Sequence, residues 1–277
     1  MLGLQGSNPD LEQEKASTWT AGVDLIPSFV DGMALSLTYY SIAYDHRILV
    51  PGPPTPADVL LQEAQWTSVI NRAPTSAQIN ALCESSDYTG SVAQCEAAPI
   101  AAIVDLRVRN MAETRVRGVD LKLDQTLRTR RGRFDFGLNG GYVFGFQQAT
   151  SDTSPLKSVI DTVGNPLALR LRGTFDWYQR DLDKPGLGAS AAVDYSGGYS
   201  DSDGGARRSV DSLATVDLRL SYRTAQGSSS FDGLEFGLNG VNVFNQDPPF
   251  INRDTGYDQI NAQPFGRVVS FTIQKSW

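Results

Sequence analysis

Few residues of this 277-residue chain have the type and spacing to do chemistry. Cys83 and Cys95 stand twelve positions apart, either as a bridged pair or as two free thiols whose Cα atoms lie too far apart to join. With no histidine near them they make a poor metal site. The chain has one histidine, His46, so any Ser-His-Asp or Cys-His arrangement must depend on it; at the outer end of a predicted strand it reads as a surface side chain. Asp201-Ser202-Asp203-Gly204-Gly205 is a crude calcium loop without the spaced acidic partner of a true one, and reads as a flexible tip. Gly197-Gly198 and Gly204-Gly205 fall between predicted strands, not in the strand-to-helix turn that cradles phosphate. Carboxylates are numerous, but one sequence does not show which pair faces which across a reacting bond. The chain is expected not to be an enzyme, and its residues imply no cofactor.

Charge narrows the partners. Lys and Arg total 24 against 31 Asp and Glu, a net of −7. That balance argues against nucleic acid, which needs clustered cations to displace counterions. The longest apolar run, 97–104, is broken by Pro99 and falls far short of the roughly 20 residues a spanning helix needs. The amino terminus has neither a basic segment nor an apolar core, so no signal peptide is expected there. On that basis the protein is cytoplasmic, or the chain starts inside something longer.

The elements that must position these residues announce themselves by alternation. Val269, Phe271, Ile273 and Trp277 share one parity, while Ser270, Thr272, Gln274 and Ser276 hold the other. Successive side chains of a strand point to opposite faces, so such a stretch has one apolar and one polar side. The pattern recurs from Trp19 to Leu25, Val119 to Leu123, Phe134 to Phe146, Leu167 to Trp177 and Ala214 to Tyr222. It is weaker at 33–39, 187–195 and 234–238. About nine strands result. Many run ten or more residues, longer than the roughly 5–6 usual in soluble domains and close to the roughly 9–11 of a tilted transmembrane strand. Aromatic residues gather near strand ends, as in the girdles of membrane barrels. A soluble sandwich with one wet face is the rival reading. The connections also alternate: 26–32, 129–132, 181–186 and 224–233 are short, whereas 48–100, 147–164, 197–211 and 244–264 are long. The fold class expected is all-β: an antiparallel up-and-down transmembrane β-barrel segment of about nine strands, with short periplasmic turns and long extracellular loops. Inside the 48–100 loop, Thr55-Pro56-Ala57-Asp58 and Thr75-Ser76-Ala77-Gln78 read as starts of short helices.

Several motifs then carry a resemblance. Gly6-Ser7-Asn8-Pro9-Asp10-Leu11-Glu12 precedes a strand that opens Thr20-Ala21-Gly22-Val23-Asp24. Further along come Arg117-Gly118-Val119-Asp120-Leu121 and Asn242-Val243-Phe244-Asn245-Gln246-Asp247-Pro248-Pro249-Phe250. Gly256-Tyr257-Asp258 and Phe265-Gly266-Arg267 lead into a last strand with a terminal aromatic. In this order and spacing the chain resembles the carboxyl-terminal part of the β-barrel of a TonB-dependent outer-membrane receptor, over nearly its whole length. The resemblance implies one domain, 1–277, in the outer membrane, taking up siderophores or other bulky nutrients. It implies an energy-transducing inner-membrane complex acting through a plug, and assembly machinery that reads Val269, Phe271, Ile273 and Trp277. The plug and earlier strands of such receptors are not among these residues, and about nine strands cannot close around a lumen that takes 22. A fragment inactive alone is therefore expected. The alternatives are a truncated, non-transporting barrel with a structural or interaction role, and a soluble all-β binding module.

Under this reading Cys83 and Cys95 form a disulfide in an extracellular loop, made during passage through the oxidising periplasm. Arg170, Arg172, Asp176, Asp217 and Arg219 face the lumen, where they contact substrate or plug, or form an ion ladder on a wet wall. Asp247, Phe250 and Tyr257 line a ligand mouth or merely order their loop. Arg128, Arg130, Arg131 and Arg133 flank a periplasmic turn as solvated cations. The partners expected are outer-membrane lipid, the plug and upstream strands, and the assembly machinery.

Overall fold

A computed structural model describes residues 1–50, 56–61, 63, 66–85, 87–149, 155–179, 185–201, 207–225 and 231–276. In chain order the strands are β1 (Leu2–Gly6), β2 (Lys15–Leu25), β3 (Met33–Leu49), β4 (Ile70–Asn71), β5 (Ile103–Arg107), β6 (Arg109–Thr129), β7 (Gly132–Ala149) and β8 (Lys157–Ser158). They continue with β9 (Leu169–Tyr178), β10 (Gly186–Ser196), β11 (Tyr199–Asp201), β12 (Arg208–Val210), β13 (Leu213–Arg223), β14 (Leu234–Val241) and β15 (Val268–Lys275). The helices are α1 (Pro56–Leu61), α2 (Ser76–Cys83) and α3 (Val92–Ala97).

Nine of these strands form one sheet in the order β2-β3-β6-β7-β9-β10-β13-β14-β15, each beside its predecessor, with β8 added to β7. The up-and-down meander expected from the alternation is present. So is the alternation of short and long connections, from the two residues between β6 and β7 to the long stretch between β3 and β6. From β7 to β15 the pairs are antiparallel, and register sorts the side chains into rows. One row reads Phe134, Trp177, Ala189, Leu220, Leu238, Phe271; the next reads Asp135, Asp176, Ser190, Arg219, Asn239, Ser270. Because the pleat has period two, the first row lies on one face and the second on the other.

Exposure separates the two rival architectures. A sandwich would bury its apolar rows against a second layer. Here Leu220 is 61% exposed, Leu238 50% and Phe271 64%. Among the described residues, the buried apolar side chains within the nine strands are Ala149 and Ala192 alone. The greasy face has no protein partner, which is the arrangement a lipid solvent requires.

Three details depart from expectation. The strands β3, β6 and β7 run 17, 21 and 18 residues, longer than the apolar alternation suggested, because backbone pairing continues past it through stretches such as Asp45-His46-Arg47, Arg109 to Arg117 and Gln147-Gln148. The long connection runs from 50 to 108 rather than 48–100. It holds a separate small sheet, in which β5 pairs in parallel with β1 and antiparallel with β4. Leu167, which alternation placed on the apolar face, lies before β9 and is buried among loop residues.

The chain divides into two compact units, Met1–Thr18 with Ile42–Arg115 and Gln147–Ser158, and Trp19–Ser41 with Val116–Phe146 and Val159–Trp277. The first has its own core of Val59, Trp66, Val69, Val104 and Leu106. There α2 begins with the capping box expected at Thr75, whose hydroxyl accepts from the Gln78 amide while the Gln78 side chain accepts from the Thr75 amide. α1 begins at Pro56, as proline at the first helical position suggests, but Thr55 lies outside the described residues.

Candidate functional site

Within the second unit, the connections β7–β9, β10–β13 and β14–β15 fold onto one another. Apolar contact starts it: Leu167, Tyr199, Val210 and Ile251 are buried together, with Val163 packed against them. Polar groups then lock it. Asp258, only 3% exposed, accepts from the Gly164 amide at 2.9 Å, the Ile260 amide at 3.0 Å and the Asn261 side-chain amide at 2.7 Å. Asn261 also donates to the Asn165 carbonyl at 2.9 Å and accepts from Arg170 at 2.5 Å. Asp161, in a left-handed conformation at φ 53°, accepts from the Ala168 amide at 2.7 Å, and its carbonyl accepts from the Ser200 amide at 2.8 Å. Asp201, 1% exposed, accepts from the Asn252 amide at 3.1 Å. Three loops far apart in sequence thus share one set of buried hydrogen bonds, and each buried carboxylate is satisfied by backbone N–H groups.

The electrostatics follow. Burial pushes the Asp258 carboxyl up, but the hydrogen bonds from Gly164, Asn261 and Ile260 outweigh it and hold the group below its ordinary value. Burial, and then the charges of Asp258 and Asp201, push the Tyr199 hydroxyl up to about 12. That hydroxyl is buried without a hydrogen-bond partner among the described residues.

The motif Asn242-Val243-Phe244-Asn245 explains how the last loop leaves the sheet. Asn242 and Asn245 have φ of 49° and 53°, a region asparagine tolerates better than branched residues. Asn242 bonds twice to the Gln246 backbone, at 2.9 Å each way, and its own amide donates to Asp217 at 2.8 Å. The Asn245 side chain accepts from the Arg267 amide at 2.9 Å, and a Cβ at Gly266 would come within 2.6 Å of that oxygen. A larger residue there would have to displace the Asn245 side chain.

The polar face of the sheet carries the charges expected to face the lumen. Arg172 pairs with Asp194, Asp176 accepts from Ser190 at 2.5 Å, and Asp217 is the acceptor for Asn242. Arg219 reaches Asn239 at 2.7 Å and, diagonally, Glu235 at 2.8 Å, and Arg223 closes on the same carboxylate at 2.7 Å. Gly237 stands between them; a Cβ there would lie 3.1 Å from the Arg219 guanidinium. This is a wall of mutually paired charges. Arg170 differs, because its partner Asn261 belongs to the loop cluster.

Of the proposed mouth residues, Tyr257 lines an open cleft of about 550 Å³ with Arg253, Asp254, Asp258 and Ile260. Asp247 and Phe250 are exposed but do not line it. Asn261 and Asp161 were not singled out by sequence reasoning, and Asp258 entered only within the motif Gly256-Tyr257-Asp258; an Asp and an Asn three apart in a loop was the available signal. Asp201 was, but Ser202 to Gly205 of the crude calcium loop lie outside the described residues, and among the described residues no cluster fit for a metal occurs. In the other unit Cys83 and Cys95 are bridged, with Cα atoms 5.8 Å apart, tying α2 to α3. Val269, Phe271 and Ile273 project from β15 with at least 60% exposure, and Trp277 lies outside the described residues.

A nine-strand meander with a bare apolar face, a face bearing paired charges and three connections of the second unit packed on one another defines part of the wall of a membrane β-barrel. The family model for TonB dependent receptor-like, beta-barrel, matches residues 2–245, and the chain belongs to that family. Among solved structures it is similar to a mutant of the ferric enterobactin receptor of Pseudomonas aeruginosa, at 18% identity and a TM-score of 0.55, covering 95% of this chain and 31% of that one. It is also similar to the siderophore receptor PirA of Acinetobacter baumannii, at 17% identity and 0.56, covering 96% and 32%. The FrpB iron transporter of Neisseria meningitidis gives 12% identity and 0.53, covering 98% and 32%. The chain spans about a third of the length of these structures. No curated protein gives a match.

Proposed function

We propose that this chain is a wall segment of an outer-membrane receptor for energy-coupled uptake of siderophores or comparably bulky nutrients, and that it does not transport alone. The observation that carries the reading is the exposed apolar row Leu220, Leu238, Phe271 set against the charged row behind it. Incompleteness is argued from the edges. Among the described residues β2 and β15 each pair on one side only, and lipid offers nothing to their free N–H and C=O groups. Further strands must complete the cylinder, and a plug within it would be the contact of the inner-membrane energy-transducing complex. In this reading the short turns are periplasmic and the long loops extracellular. The Cys83–Cys95 bridge forms in an oxidising compartment, the cleft beside Tyr257 lies at the ligand mouth, and assembly machinery reads β15.

The test is expression of the chain with and without a plug and upstream strands, followed by outer-membrane fractionation and gel mobility before and after heating. The longer form is expected in the membrane fraction with a heat-modifiable band and uptake of a ferric siderophore. A compact heat-modifiable band from the chain alone would overturn the fragment reading. Recovery of either form in the soluble fraction would overturn the membrane reading.

A further inference from the structure

The end of the sheet opposite the loop cluster carries two neighbouring turns that the uptake reading leaves unused. The β2–β3 turn presents Ile26 at 82% exposure and Phe29 at 88%, the most exposed large apolar side chains among the described residues. Beside it, the two-residue β6–β7 turn presents Arg128, Arg130 and Arg131, all exposed and without an ion pair among the described residues. Arg133, by contrast, is held by Asp135 at 2.8 Å. The β2–β3 turn is fastened to β6, the strand that leads into the second turn: the Thr126 amide donates to the Gly32 carbonyl at 2.9 Å, and the Gln125 side chain donates to the Asp31 carbonyl at 2.9 Å. Trp177 donates to the Arg131 carbonyl at 3.2 Å, which fixes the second turn from the other side. The one carboxylate in the two turns is Asp31, against Arg130 and Arg131 there and Arg128 near the end of β6.

Solvent alone explains arginines on a turn, but not two nearly bare apolar side chains held next to them. Apolar side chains flanked by cations are the signature of a surface that sits in the headgroup region, with the apolar groups in the acyl boundary and the cations at phosphate. We propose that these two turns dock onto the anionic phospholipid surface of the periplasmic leaflet, with Ile26 and Phe29 inserted and Arg128, Arg130 and Arg131 on headgroup phosphates. The inference rests on the membrane reading above, which places this end at the periplasmic face.

The test uses the chain completed by a plug and upstream strands and inserted into vesicles of phosphatidylcholine alone and of a four-to-one mixture with phosphatidylglycerol. Retained lipid is then counted by native mass spectrometry after extraction. The wild type is expected to retain phosphatidylglycerol preferentially. The triple variant R128Q/R130Q/R131Q is expected to lose that preference by about fivefold per arginine while inserting normally. Phe29→Ser is expected to weaken retention as well. Retention equal in wild type and triple variant would overturn the proposal and assign the cations to water or to a protein such as the plug. Loss in the triple variant with Phe29→Ser unchanged would also overturn it, since the site would then read a soluble anion rather than a lipid surface. Failure to insert into either composition would overturn the membrane reading and this one with it. Insertion without a lipid preference overturns this one alone.

Discussion

Replacing Asp258 with alanine removes the acceptor that three donors share. The Gly164 and Ile260 amides and the Asn261 side chain would each be left facing a site that is 3% exposed in the native loops. An unsatisfied buried donor costs about 1–3 kcal/mol, and with water reaching the rim the three together should cost about 3 kcal/mol. That cost falls on the docking of the loops and not on the sheet, whose ladders do not involve Asp258. Local opening should therefore rise on the order of 100-fold, read as faster hydrogen exchange at the Gly164 and Ile260 amides, while strand amides of β10 and β13 stay protected. Asp247→Ala, on an exposed residue of the same connection, is the control and should change nothing. The pH dependence has a fixed sign. The Asp258 carboxyl is depressed in the folded loops below its ordinary 3.8, so its contribution is complete above that value and is lost as pH falls through the lower folded value. Unchanged exchange at Gly164 and Ile260 in Asp258→Ala would refute the claim that this carboxylate joins the loops.

Reducing the Cys83–Cys95 bridge, or Cys83→Ser with Cys95→Ser, should destabilise the α2–α3 region by about 3 kcal/mol, seen as faster tryptic cleavage at Arg72 with the sheet unaffected. Asn242→Ala should cost about 1–2 kcal/mol for the left-handed backbone alone, and more for the lost Gln246 bonds. Asn242→Gly should recover the backbone part, so in the chain completed by a plug and upstream strands the heat-modified band should shift at a temperature between wild type and alanine. A double-mutant cycle of Arg219→Ala with Glu235→Ala should give a coupling below about 1 kcal/mol, because the pair lies on a wet face.

The sheet was legible because its apolar face has no protein neighbour to blur the period. Phe134 to Phe146 and Ala214 to Tyr222 alternate cleanly, since lipid rewards each outward residue alike. The outer part of β6 was not legible for the opposite reason: from Arg109 to Arg117 polar residues occupy both parities, and backbone pairing alone extends the strand. The parallel pairing of β1 with β5 joins segments about a hundred residues apart, and Leu2-Gly3-Leu4-Gln5-Gly6 gives too little period to announce it. Leu167 misled because alternation counts parity but not where the ladder ends. For the site, Cys83 and Cys95, the polar row and the Asn242 turn could be found from residue types. The Asp258–Asn261–Arg170 link could not, because it joins the β14–β15 connection to strand β9, about ninety residues apart, and no local pattern pairs them.

The claim beneath all of this is that Phe271 faces lipid and its neighbour Thr272 faces the wet side of the same strand. Phe271→Arg and Thr272→Arg, each in the chain completed by a plug and upstream strands, inserted into vesicles and titrated with urea, test it directly. The account predicts a loss of about 2–4 kcal/mol for Phe271→Arg and little change for Thr272→Arg. Equal losses, or the larger loss at Thr272, would contradict it.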